Sequence, residues 1–354
     1  MKDAKLVLED GTTLHGKSFG AETSSAGEVV FNTSMVGYPE SFTDPSYTGQ
    51  IMVLTYPLIG NYGVGDKEQD ANEIQRRFES EKMHIKGLIV SEYSESYNHW
   101  DASKSLSDWL KENNVPALTG IDTRKLTQKI REHGTLLGKI VIGKDIDYYD
   151  PDLDNLVDQV SIEKPKTYKN GDKHIICIDC GMKNNIIRNL LDRGISVTRV
   201  PWDYDFVEAG HDFDGVFISN GPGDPSMLTK LHKNIRKAME LKKPIFGICL
   251  GTQVMALAAG AKTYKLKFGH RSQNQPCIDT ETGRCYITSQ NHGFAIDEKS
   301  LGKDWKVWLR NANDDTVEGI KHKTLPFFSC QFHPEAMPGP TDTLHFFDDF
   351  VAML

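Results

Sequence analysis

From Lys173 onward short apolar runs alternate with amphipathic stretches, and few architectures accept that rhythm. HIICID is followed by NNIIRNLLDRG, then ISVTRV, GVFISN, a helical KNIRKAMELKK, and PIFGI leading into TQVMALAAG. Apolar runs of this length flanked by helical patterns predict an open, mostly parallel α/β sheet with helices packed on it. Later runs, RCYITSQ, WKVWLR, TVEGIK and FFSCQF, are denser in strand and predict a β-rich extension of the same domain.

The preceding residues obey different rules. KLVLEDGTTLHGKSF places Asp10-Gly11 between two alternating runs, the signature of a hairpin. SLSDWLKENN and TRKLTQKIREHG have helical spacing, the second with Asp122 as its cap. This predicts a β-rich α/β domain over residues 1–143. Residues 144–172 are polar, with Pro151, Pro165 and Asn170-Gly171, and are read as a linker to a domain over 173–354. Two domains suit a chain of 354 residues. Its 41 basic and 49 acidic residues give a net charge of −8, which offers no footprint for nucleic acid or an acidic membrane. No apolar run is long enough to span a bilayer and the first residues lack signal or transit character, so a cytoplasmic enzyme is the expectation. Six scattered cysteines predict free thiols.

The sharpest chemical signal is Gly247-Ile248-Cys249-Leu250-Gly251 between a strand-like run and a helical one. Glycines on either side of a nucleophile allow an abrupt strand-to-helix turn, and a helix N-terminus favours thiolate. The competing reading of Cys249 is a small buried hydrophobe at a tight turn. A thiol nucleophile needs a base. In QFHPE, Pro334 biases His333 toward extended backbone, placing His333 and Glu335 on one side so that the carboxylate can orient the imidazole. GVFISN opens into Asn220-Gly221-Pro222-Gly223, where the Gly221 N–H, with that of Leu250, could hold a developing oxyanion. His292 is a rival base that spacing does not exclude. Cys177 and Cys180 form a CxxC pair, a redox or zinc signature, but without a second ligand pair and inside an apolar run they fit core thiols better.

NGPGDP, GICLGTQ, SQNHGFA and QFHPE, in that order, resemble the class I triad glutamine amidotransferases. FNTSMVGYPESFTDPSYTGQIMVLTYPLIGNYG and GIDTRKLTQKIREHG resemble the amino-terminal domain of carbamoyl phosphate synthetase small subunits, so the resemblance spans essentially the whole chain. It implies Cys249 as nucleophile, His333 as acid and base, Glu335 as orienter, and glutamine contacts from Ser46, Gly221, Gly223, Leu250, Gln253, Asn291, Gly293 and Phe294. Ser46 belongs to the first domain, which implies a site near a domain interface. His292 then becomes a substrate-loop residue. The resemblance further implies ammonia transfer to a large synthetase subunit that uses ATP, Mg²⁺ and bicarbonate, with no cofactor or metal in this chain, which shows no P-loop. Thr252 stands where many of these subunits have histidine, and Phe332 where many bacterial ones have glycine; changes in packing or rate are expected there. A scaffold that only docks is the alternative, against which the intact Cys-His-Glu set argues.

Overall fold

The computed structural model describes all of residues 1–354, which divide into compact units at Met1–Asp154 and Asn155–Leu354. The 144–172 stretch is not featureless: it holds single 3-10 turns at Pro151–Leu153 and Leu156–Gln159 and a short strand at Lys166–Tyr168. No helix is long and apolar enough to cross a membrane.

In the first unit the Asp10-Gly11 turn pairs Asp3–Leu8 with Thr13–Ser18 antiparallel, and Gly11 adopts φ +85°, which suits glycine. Seven strands then close into a barrel, which the apolar runs did not foretell. Closure comes from pairing Asp3–Leu8 with the distant Leu136–Val141, leaving no free edge between them. Both expected helices form, as Leu106–Glu112 and Thr123–His133; the Asp122 carboxylate accepts the Lys125 N–H at 2.9 Å as an N-cap.

The second unit is built on one ten-stranded sheet. Its core is five parallel strands in the order Ile195–Pro201, Lys173–Asp179, Gly215–Ile218, Ile245–Ile248 and Phe327–Cys330. Antiparallel strands extend it through Val317–His322 and Trp305–Asn311 to the long pair Lys262–Asp279 and Cys285–Asp297. Parallel strands covered on both faces are apolar throughout. On one face Ile176, Ile218 and Ile245 pack with Ile235 of the Thr229–Glu240 helix and Val254 of the Leu250–Ala258 helix. On the other, Phe217 and Phe246 meet Phe347 and Phe350 of the His345–Val351 helix, and Phe328 stacks on Phe246 at 4.4 Å.

FFSCQF is part of the parallel core and not of the β-rich extension. Phe327–Cys330 lies directly beside Ile245–Ile248, with Ile248 opposite Cys330. An apolar run does not reveal whether its neighbour runs with it or against it. This placement brings the segment after Cys330 to the carboxyl end of the sheet, where the chain also leaves Ile248 for Cys249. Open α/β sheets hold their ligands at that end.

Candidate active site

Cys249 links the Ile245–Ile248 strand to the Leu250–Ala258 helix as its N-cap, with φ 53° and ψ −107°. A non-glycine residue in that region carries strain of about 1–3 kcal/mol, sustained here by the surrounding packing. Gly251 permits the turn because a Cβ there would lie 2.2 Å from the Ile218 carbonyl oxygen. The Cys249 N–H donates to the Cys330 carbonyl at 2.9 Å, and Thr252 Oγ1 donates to the same oxygen at 2.6 Å. Thr252 thus braces the elbow against the neighbouring strand. The thiol is buried and lies 3.7 Å from the Asn291 carbonyl oxygen.

His333 is not in an extended segment. Residues 333–336 form a turn in which the Ala336 N–H donates to the His333 carbonyl at 3.1 Å. Proline after the first residue of such a turn is favoured because its fixed φ suits that position. The turn still joins His333 to Glu335, with Nδ1 2.7 Å from Oε1. Nε2 has no conventional hydrogen-bond partner, and Cys249 is among the groups acting on the ring. Phe332, wholly buried, packs on Phe346 with ring centroids 5.7 Å apart.

A residue that motif reading missed completes the charge pattern. Lys183 Nζ lies 3.0 Å from Glu335 Oε1, with both side chains almost fully buried, and donates to the Ala336 carbonyl at 2.5 Å. Burial opposes ionisation of Glu335, but the Lys183 ammonium and then His333 hold its carboxyl well below the usual range. Burial likewise opposes charge on His333, and Glu335, followed by Cys249, raises its pKa above the ordinary histidine value. The array is arranged to keep an imidazolium beside a carboxylate in a dry environment. Lys183 follows DCGM without any pattern of its own; only the convergence of loops shows its role.

The Asn220-Gly221 loop joins this group. The Lys183 N–H donates to Asn220 Oδ1 at 3.1 Å, and a Cβ on Gly221 would meet the Cys180 carbonyl oxygen at 2.0 Å and Leu250 Cδ2 at 2.8 Å. Gly223, at φ +83°, turns the loop beside Leu156. Gln253 Nε2 donates to the Phe294 carbonyl at 2.8 Å and to Gln331 Oε1 at 3.1 Å, tying the elbow helix to the strand that carries Asn291, Gly293 and Phe294. Ser46 lies in the first unit, buried in the 3-10 turn Pro45–Tyr47, its N–H capped by Asp44 at 2.9 Å.

His292 has both ring nitrogens engaged elsewhere, Nδ1 with the Phe294 carbonyl at 2.9 Å and Nε2 with Gln290 Oε1 at 3.2 Å. Burial drives its pKa well below the ordinary value. Cys177 and Cys180 are fully buried, and burial pushes both thiols up, as befits core side chains.

Comparison with known proteins matches both halves of the chain to described families. Residues 176–353 match the family described as glutamine amidotransferase class-I, and residues 6–140 the carbamoyl-phosphate synthase small chain, CPSase domain. The chain is 49% identical over 357 residues to the carbamoyl phosphate synthase arginine-specific small chain of Neosartorya fischeri, covering 98% of this chain and 79% of that one. It is 55% identical over 373 residues to the multifunctional protein pyr1-3 of Dictyostelium discoideum and 54% over 355 residues to the multifunctional protein CAD of Squalus acanthias. Those alignments take in 99% and 98% of this chain, but it spans only 17% and 16% of those two proteins. With both halves matched in order, the chain belongs to the carbamoyl-phosphate synthase small-chain family, its second unit being a class-I glutamine amidotransferase domain.

Proposed function

We propose that this chain hydrolyses glutamine to glutamate and ammonia and delivers the ammonia to a large synthetase partner that makes carbamoyl phosphate. The observation that carries this reading is the buried His333–Glu335 pair, with Nδ1 committed to the carboxylate and Nε2 left available beside Cys249. The Cys249 sulfur, as thiolate, attacks the side-chain amide carbon of glutamine. Negative charge then gathers on the amide oxygen, for which the N–H groups of Gly221 and Leu250 are the candidate donors. Collapse expels the nitrogen, which takes a proton from the His333 imidazolium and leaves as ammonia, with a glutamyl thioester remaining. His333 then takes a proton from water as its oxygen attacks the thioester carbon, and glutamate and the thiolate are released.

Ser46, Gly223, Gln253, Asn291, Gly293 and Phe294 are the proposed glutamine contacts. ATP, Mg²⁺ and bicarbonate belong to the large partner in this scheme. The arginine-specific small chain and the multifunctional relatives support the pairing of this activity with carbamoyl phosphate synthesis.

Glutamate release by the purified chain, alone and with a large synthetase chain, tests the proposal. Stimulation by the partner together with carbamoyl phosphate formation is expected; no release under either condition would leave a scaffold role. The base is assigned by paired substitutions. His333→Asn should lower hydrolysis about 10²–10⁴-fold, the usual contribution of a positioned acid and base, and by more than His292→Asn. The reverse ranking would make His292 the base. Gly221→Ala should cost about 10²–10³-fold in kcat, as the loss of one oxyanion donor does, because its methyl group must push the loop away from the Cys180 carbonyl. An unchanged kcat would remove Gly221 from the oxyanion site.

A further inference from the structure

Behind the Asn291–Phe294 segment lies a chain of ionisable side chains that the reaction scheme does not use, with His270 and Glu318 buried and Asp314 exposed at its end. His270 pairs across the sheet with His292, and Arg271 with Asn291. The His270 ring is held at both nitrogens, Nε2 by Asp314 Oδ2 at 2.8 Å and Nδ1 by Glu318 Oε1 at 3.2 Å. Asn311 Nδ2 donates to the same Glu318 oxygen at 3.3 Å, and His292 Nε2 lies 3.8 Å from it. The two imidazole rings meet edge to face at 4.9 Å.

Leaving a carboxylate such as Glu318 wholly buried is costly unless a cation compensates it. Burial raises the Glu318 pKa and works against charge on His270, but Asp314 and Glu318 together lift the His270 pKa to about 9. His270, held between two carboxylates, therefore supplies the compensating charge. The segment supported in this way provides the Asn291 carbonyl that touches the Cys249 sulfur and the Phe294 carbonyl that holds Gln253.

We propose that the Asp314–His270–Glu318 chain is a brace that positions the Asn291–Phe294 segment, setting the affinity for glutamine without taking part in its chemistry. His270 is thus a positioning residue, and the inference rests on the glutaminase reading of the site. It makes a specific demand on paired substitutions: neutralising both buried partners preserves the hydrogen bonds, whereas removing one leaves the other unpaired.

Steady-state glutamine hydrolysis by the full chain carries the test. His270→Ala should raise KM about tenfold with kcat within about twofold, the pattern of lost ground-state positioning. The double variant His270→Gln with Glu318→Gln should bring KM back to within about threefold of wild type, showing the coupling expected of residues in contact. Equal losses in kcat and KM, an unchanged KM, or no recovery in the double variant would overturn the brace.

Alkylation of Cys249 by iodoacetamide provides a readout that needs no glutamine. Loosening of the Asn291 carbonyl in His270→Ala should change its rate at least about fivefold, and an unchanged rate counts against the brace even if the wild type releases no glutamate. Absence of wild-type hydrolysis with an altered alkylation rate would instead sink the glutaminase reading alone. His270 Nδ1, His292 Nε2 and Glu318 Oε1 also lie within 4.8 Å of one another, so metal analysis is a third arm. Stoichiometric zinc in the purified chain would replace the brace with a metal centre.

Discussion

Serine in place of Cys249 is expected to abolish glutamine hydrolysis, by about 10³-fold or more, while leaving the fold in place. The side chain is buried at the strand-to-helix elbow, and serine is close enough in volume to occupy the same space. Its hydroxyl has a far higher pKa than a thiol, so a base poised to work with sulfur leaves it protonated and weakly nucleophilic. The Cys249 N–H bond to the Cys330 carbonyl and the turn at Gly251 do not involve sulfur and should survive. Glutamate release with unchanged circular dichroism is the check. If the variant kept substantial hydrolysis, the nucleophile would lie elsewhere.

Lys183→Met is expected to have the next largest effect, on both stability and activity. Methionine replaces the alkyl stem but leaves Glu335 buried with one counter-charge fewer. Breaking one side of such a buried pair costs about 3–5 kcal/mol. The Glu335 pKa, held below its ordinary 4.5 by Lys183 and His333, should move upward in the variant. A carboxyl group depressed in the folded state stabilises the protein above its unfolded pKa, and this contribution is lost as pH falls toward the folded value. The substitution should therefore weaken acid resistance and shift the unfolding transition to higher pH. Hydrolysis should fall as well, since Glu335 loses the ammonium that holds it against His333 and orients the imidazole less well. Urea titrations across the acid range and kcat at neutral pH test the two parts; a variant as stable and active as wild type would remove Lys183 from the charge array.

Much of the second unit was legible in its motifs. The elbow at Cys249 is written in glycines whose absent side chains make room for specific backbone atoms, and the His333–Glu335 spacing survives a change from extended backbone to a turn. Other features depended on contacts between distant segments. FFSCQF carries no sign of strand direction, so its place beside Ile245–Ile248 emerged only with the sheet. Lys183 looks like any lysine until the Asn220 and Ala336 loops converge on it. His270, Asp314 and Glu318 lie on different strands or turns, and no motif foretells their hydrogen bonds. In the first unit the hairpin at Asp10-Gly11 was local and readable, whereas barrel closure joins the two ends of the domain.

The parallel register between Ile248 and Cys330 also bears on when reactivity arises. The proposed nucleophile and base follow strands far apart in the chain, so the Cys249 thiol cannot meet His333 until one of the longest-range pairings in the unit has formed. Pairings of that kind carry the largest loop-closure cost and characterise slow, topology-limited folding. A nascent or partly folded chain would therefore carry Cys249 without its imidazole, and activation of the sulfur would coincide with completion of the sheet.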